Sequence, residues 1–105
     1  MLKNIFSKLR LARRIRRESK RIAGEIYPTL WENVRRKVAS STQKELHTYA
    51  KVRAAQLSQE RIDTLMLAEP HLSGAFATRL LVASTDRAMR LVLATVASAR
   101  RSAAA

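Results

Sequence analysis

Glycine and proline, the residues that interrupt helices most strongly, occur only four times in this chain of 105 residues. They form two pairs, Gly24 with Pro28 and Pro70 with Gly74. The stretches between them are rich in alanine, leucine, arginine, lysine, glutamate and glutamine, which all favour helices. No segment shows the sustained apolar and polar alternation of a half-buried strand. The sequence therefore predicts an all-α protein.

The positions of glycine and proline, together with the capping patterns, predict helices at residues 2–23, 29–40, 43–69 and 73–101. Capping-box patterns begin two of them, at Thr29–Glu32 and Thr42–Glu45. Residues 40–42 fit either this break or the interior of one long helix, and we favour the unbroken helix. The expected architecture is a helical hairpin or small helical bundle of residues 25–105. A basic amphipathic helix of residues 1–24 lies beside it or projects from it.

The charge balance indicates what kind of partner the chain binds. Lysine and arginine number 21 against 8 aspartate and glutamate residues, a formal net charge of +13. Residues 1–37 hold 12 of these cations and only 3 acids. A field of this sign attracts phosphate polymers and anionic lipid. Most of the cations are arginines, whose planar guanidinium suits phosphate better than a lysine does.

The first predicted helix has two different halves. Leu2, Ile5, Phe6 and Leu9 share one side at helical spacing, with cations beside them, which is typical of a cationic amphipathic helix. In residues 13–21 cations surround the helix instead. Burying such charges against a protein core is costly. We therefore expect this stretch to be exposed or covered by a polyanion.

Four interpretations of this helix compete, and we favour nucleic-acid binding through phosphate contacts. The expected contact residues are Arg10, Arg13, Arg14, Arg16, Arg17, Lys20 and Arg21, with Arg35, Arg36 and Lys37 as a second cluster. The main alternative is a peripheral membrane protein anchored by Leu2, Ile5, Phe6 and Leu9. Residues 1–17 also fit an organellar targeting segment. The fourth interpretation is a solvated basic tail without a specific ligand.

The last predicted helix is apolar around most of its circumference, too widely for one small neighbour. It contacts either two helices of its own chain, or one helix and a partner. We expect a homo-oligomer or a larger assembly, with an interface at Leu81, Met89, Val92 and Val96. An adaptor that docks on a larger protein is a further alternative. Arginines 79, 90 and 101 recur every 11 residues and line up on one side, which faces solvent or, less commonly, a ligand.

Nothing in the sequence indicates catalysis. The chain has no cysteine, and its two histidines, His47 and His71, lie in different segments without carboxylates at ligand spacing. We expect no enzyme activity, no metal and no cofactor. Trp31 fits the core better than a base-stacking role. No stretch is long and apolar enough for an ordinary transmembrane helix. We expect a cytoplasmic protein, or an organellar one if residues 1–17 are a targeting segment.

Overall fold

Three long helices account for almost all of the computed structural model, which describes residues 2–104. They are α1 (Leu2–Arg35), α2 (Gln43–Ala68) and α3 (Gly74–Ala104). No strand occurs in the part of the chain described, and the predicted all-α class, a small helical bundle, is confirmed. Met1 and Ala105, which the predicted segments 1–17, 1–24 and 25–105 include, lie outside the described residues.

The helices run up, down and up, so that α1 and α3 are parallel and α2 is antiparallel to both. Arg14 near the start of α1 contacts Glu69 just after α2, and Asn33 near the end of α1 accepts a 2.7 Å hydrogen bond from Arg53 of α2. Tyr27 of α1 hydrogen-bonds to Thr95 near the end of α3. Each helix packs against the other two. A closed bundle of three helices results.

A single apolar cluster runs along the axis of the bundle. Its largest fully buried members come from all three helices: Ile22, Ile26, Leu30 and Val34 of α1, Leu46 and Ile62 of α2, and Phe76, Leu80 and Val92 of α3. Trp31 is half-buried and packs against this cluster, as predicted. The buried positions of α1 recur at steps of three and four residues, which keeps one side of the helix towards the core.

The predicted break between residues 23 and 29 is wrong, because α1 continues through Gly24 and Pro28. An interior proline removes one backbone hydrogen bond and crowds the preceding turn. Here both Gly24 and Pro28 are exposed, while Ile22, Ile26 and Leu30 on the opposite side are fully buried. Packing on both sides of the proline therefore outweighs its poor helix propensity. The capping-box pattern at Thr29–Glu32 lies inside the helix and does not begin one.

The favoured unbroken helix across residues 40–42 is also wrong, and the alternative is confirmed. Residues 36–42 form a turn between α1 and α2. Thr42 is the N-cap of α2: its hydroxyl accepts a hydrogen bond from the Glu45 backbone N–H at 3.1 Å, and the Glu45 carboxylate accepts one from the Thr42 N–H at 3.4 Å. This reciprocal pair satisfies two backbone donors that a helix start leaves free.

The second predicted boundary, around Pro70 and Gly74, is confirmed. Residues 69–73 connect α2 to α3. The Ser73 hydroxyl accepts a hydrogen bond from the Phe76 backbone N–H at 3.1 Å, so a serine caps α3. The adjacent Phe76 is fully buried, which ties the start of α3 to the core.

The bundle is elongated, with extents of 56 × 26 × 20 Å. Residues 2–10 of α1 are all exposed, and Leu11 is the first residue of α1 that packs against the core. These nine residues, which we call the tip, extend α1 by about 13 Å before its first core contact, at 1.5 Å per residue. None of the three described helices has a stretch long and apolar enough to span a bilayer.

Candidate nucleic-acid interface

The three glutamates of α1 divide its cations into two groups. Glu18, Glu25 and Glu32 are spaced seven residues apart, so they share one side of the helix. Arg21 bonds to Glu18 at 2.7 Å and to Glu25 at 2.8 Å, and Arg61 of α2 reaches Glu25 at 3.2 Å. On this side, which borders α2, the arginines are therefore largely neutralised by intramolecular pairing.

The predicted second cluster lies at the end of α1, and its arginines are paired as well. Arg35 and Arg36 contact the Glu32 carboxylate at 2.8 Å and 3.3 Å. The hydrogen bond from Arg35, together with its charge, lowers the pKa of Glu32. Lys37 lies over the Tyr49 ring, with its Nζ 4.7 Å from the ring centre. All three cations remain exposed, so their partners reduce their net field without covering them.

Arg14 makes contacts with the α2–α3 connection and with α3 that the surrounding basic sequence does not predict. Its guanidinium donates a hydrogen bond to Glu69 and lies 5.7 Å from the centre of the Phe76 ring. The hydrogen bond to Glu69 raises the pKa of Arg14, and the same contact lowers the pKa of Glu69. Arg14 thus joins α1 to the α2–α3 connection, and its charge is the least available of the predicted contact set.

The side of α1 that borders α3 carries cations without acidic partners. Arg16 and Lys20 line the groove between the two helices, and Arg13 and Arg17 lie one helical turn or less from them. Within the described residues these four cations form no ion pair, and neither does Arg10 in the tip. All five are exposed. Half of the predicted contact set therefore forms one accessible, unneutralised side.

The opposite wall of the groove comes from α3 and supplies Arg79, Arg87 and Arg90. The groove consists of two adjoining open sections of about 530 Å³ and 440 Å³, which share Arg87 and Arg90. With Arg16 and Lys20 it is lined by five cations and one acid, Asp86. No ion pair neutralises the three α3 arginines among the described residues. We name these five cations and their walls the cationic groove.

These three arginines of α3 do not belong to the contact set predicted from sequence. The 11-residue spacing of Arg79 and Arg90 was a usable signal, but it left solvent and ligand as alternative neighbours. What the sequence does not show is that α3 runs parallel to α1 beside Arg16 and Lys20. The seven-residue spacing of the α1 glutamates was a second signal, because it leaves the opposite side of the helix free of acids.

The residues predicted for a protein interface lie elsewhere than expected. Met89, Val92 and Val96 are buried in the core cluster together with residues of α1 and α2, and Leu81 packs partly buried against it. Two helices of the same chain thus cover the apolar arc of α3. An interface with another chain would have to use the exposed Val82 and Leu91 of this helix instead. Self-association stays a prediction.

The four residues of the membrane alternative, Leu2, Ile5, Phe6 and Leu9, are all exposed in the tip. His47 and His71 are exposed as well, and His71 lies 3.7 Å from Glu69. Among residues 2–104, no three histidine, aspartate or glutamate side chains lie close enough together to hold a metal ion. What the exposed groups offer is a long array of positive charge together with an apolar tip.

Comparison of the chain with protein-family models, with curated proteins and with solved structures finds no match. Any assignment of function therefore rests on the surface just described.

Proposed function

We propose that this protein binds nucleic acid by contacting the phosphate backbone of the nucleic acid, and that it catalyses no reaction on this ligand. The observation that carries the proposal is the cationic groove, where five cations on two parallel helices have no ion-pair partner within the described residues. Elsewhere on α1 the glutamates neutralise their arginine neighbours. Unpaired cations that share one groove produce a stronger local potential than the same number scattered over a surface.

The dimensions of the groove suit a polymer better than a single small anion. Its α1 wall runs from Ala12 to Gly24, a rise of about 18 Å. Phosphates along one strand of duplex DNA are about 3.4 Å apart along the helix axis, so the groove is as long as about five of them. Four of its five cations are arginines, whose guanidinium groups bind phosphate oxygens in pairs. Backbone contacts of this type do not read sequence.

The lining of the groove supports binding and gives no support for chemistry. Apart from cations it presents Ser19, Thr78 and Asp86, together with apolar side chains. A hydrolytic site would need a base, a nucleophile and an oxyanion donor that converge on one point. Our proposal is a binding protein that works without cofactor or metal, with a cytoplasmic location.

Fluorescence anisotropy with a labelled duplex DNA and a labelled single-stranded RNA tests the proposal. The groove variant replaces Arg16, Lys20, Arg87 and Arg90 with glutamine. The matched control replaces Arg21, Arg35, Arg36 and Arg61, which pair with glutamates. Each set lowers the formal charge from +13 by four. The groove variant should bind far more weakly, and its log-log salt slope should flatten by about 0.7–0.9 for each phosphate that the protein no longer neutralises.

The paired control should bind nearly as well as the wild-type protein. Equally weakened binding in both variants would show that net charge alone holds the nucleic acid, and would refute the assignment to the groove. A wild-type protein that binds neither probe at about 50 mM salt, where phosphate contacts are strong, would refute the function itself.

A further inference from the structure

Five of the eight large apolar side chains that are exposed in the described chain lie towards one end of the bundle. Leu2, Ile5, Phe6 and Leu9 project from the tip, and Leu67 is exposed close to the end of α2. The contact between Arg14 and Glu69 shows that the end of α2 lies beside α1 just behind the tip. Scattered single apolar residues need no explanation, but four such side chains on one nine-residue tip indicate an interaction surface.

The tip contributes nothing to the core that would explain these side chains. All of residues 2–10 are exposed, and α1 first packs against the bundle at Leu11. At steps of three and four residues, the apolar side chains nonetheless share one side of the helix. An apolar side that no part of the described chain covers is therefore available to another molecule.

The charges around the apolar side of the tip indicate which kind of molecule binds there. Lys3, Lys8 and Arg10 accompany the apolar residues, and residues 2–17 contain no acid. A second copy of the chain would bring the same cations towards each other, in a protein of formal charge +13. An apolar side edged by lysine and arginine complements a bilayer that carries anionic headgroups, where the apolar residues enter the acyl boundary and the cations stay at the surface.

We propose that the tip docks this protein on an anionic lipid bilayer. Ile5, Phe6 and Leu9 insert between the headgroups, and the neighbouring cations contact lipid phosphates and carboxylates. This inference goes beyond nucleic-acid binding and does not depend on it, because the inserted residues lie outside the cationic groove.

The orientation of the docked molecule follows from the helical repeat. Arg13, Arg16 and Lys20 lie 4, 7 and 11 residues after Leu9, so they lie on the same side of α1 as the apolar side of the tip. A tip that lies flat on a bilayer consequently turns the cationic groove towards the headgroups. Nucleic acid and membrane would then compete for the groove, whereas the tip serves the membrane alone.

Sedimentation with sucrose-loaded vesicles tests the docking. The probes are vesicles of phosphatidylcholine alone and of phosphatidylcholine with phosphatidylserine, and the variant replaces Ile5, Phe6 and Leu9 with serine. The wild-type protein should sediment with the anionic vesicles, and the tip variant should partition at least about tenfold less. Binding should persist at high salt for the wild type, since screening weakens the charges and leaves the apolar insertion.

The chain offers a matched control for a single change in the tip. Val52 on α2 is 54% exposed, against 55% for Ile5, and it lies outside both the tip and the cationic groove. Ile5→Ser should weaken vesicle binding, whereas Val52→Ser should leave it nearly intact. An equal reduction in both single variants would overturn the proposal. Because the tip lies outside the core, both the tip variant and the wild type should show the same helical circular dichroism.

A second measurement separates insertion from adsorption by charge. A Phe6→Trp variant adds an indole in the tip to the half-buried Trp31, and the difference between its emission and that of the wild type should shift to shorter wavelength with anionic vesicles but not with DNA. An unshifted emission would refute insertion.

A wild-type dimer in sedimentation velocity that becomes a monomer in the tip variant, without vesicle binding, would identify a second copy as the occupant. Unchanged DNA affinity of the tip variant would show that nucleic-acid binding stands or falls separately.

Discussion

Replacing Gly24 with alanine tests the continuity of α1 at the point where sequence and structure disagree. In the interior of a helix, alanine is more favourable than glycine by about 0.8–1.0 kcal/mol. A Cβ at residue 24 would meet no atom within 4 Å, and no glycine among the described residues has a positive φ. Neither a clash nor backbone strain offsets the gain. The free energy of unfolding should therefore rise by about 1 kcal/mol, and the melting temperature by about 4–8 °C.

Urea and thermal unfolding, followed by circular dichroism at the helical band, measure this change. The urea m-value should stay the same, since the variant exposes no additional surface on unfolding. Gly74→Ala is the comparison variant, because Gly74 has equally open space but is the first residue of α3, where alanine should be tolerated with a smaller gain than in a helix interior. If Gly24 instead ended a helix in the left-handed conformation, alanine would destabilise the protein. A lower stability of Gly24→Ala beside an unharmed Gly74→Ala would refute a continuous α1.

Two further predictions concern the ends of α2. Thr42→Ala should lower the free energy of unfolding by about 1 kcal/mol in urea titrations, because it removes the N-cap of α2; a gain in stability would place Thr42 inside a helix. Near the other end, the hydrogen bond from Arg14 holds the pKa of Glu69 below its ordinary value of 4.5. A carboxylate whose pKa is lower in the folded state stabilises the protein above its unfolded pKa, and this contribution is lost as the pH falls through the folded value. Stability should thus decline below about pH 4.5, and Glu69→Gln should decline less over that range; identical pH profiles would contradict the pairing.

The fold class was accessible from sequence because helix-forming residues fill nearly the whole chain and few residues interrupt them. Helix boundaries were less accessible, since they depend on tertiary packing. Pro28 is a strong breaker by local chemistry, but the fully buried Ile22, Ile26 and Leu30 hold the helix together around it. At residues 40–42 the structure shows a break where a continuous helix was expected. Their serine and threonine side chains are compatible with a helix interior, yet the capping pair of Thr42 and Glu45 starts a new helix there.

The break at residues 36–42 also changes which residues can share one side of a helix. A continuous helix over residues 29–69 would put Val34 and Val52 on one apolar side. In the structure Val34 ends α1 as a fully buried residue, whereas Val52 lies on α2 and is exposed. A turn of a few residues between two helices resets which side faces the core, and sequence periodicity carries no information across it.

The candidate site was only partly predictable, because it also depends on how the helices pack. The sequence identifies which residues are cationic but does not show which of them are neutralised. In α1 that sorting follows from Glu18, Glu25 and Glu32, whose seven-residue spacing gathers the ion pairs on the side towards α2. The other side of the same helix meets Arg79, Arg87 and Arg90 of α3, residues that are far away in sequence.

The clustering of cations in the cationic groove carries an energetic cost, and this cost bears on the function of the protein. Exposed ion pairs contribute little to stability, about 0–1 kcal/mol each, so the fold does not require the paired side. Bringing Arg16 and Lys20 beside three arginines of α3, with a single acid nearby, adds repulsion that weakens the folded state. Stability alone would favour acids at some of these positions. The groove keeps its cations close together without internal partners, and a bound polyanion is the kind of ligand that converts this repulsion into binding energy.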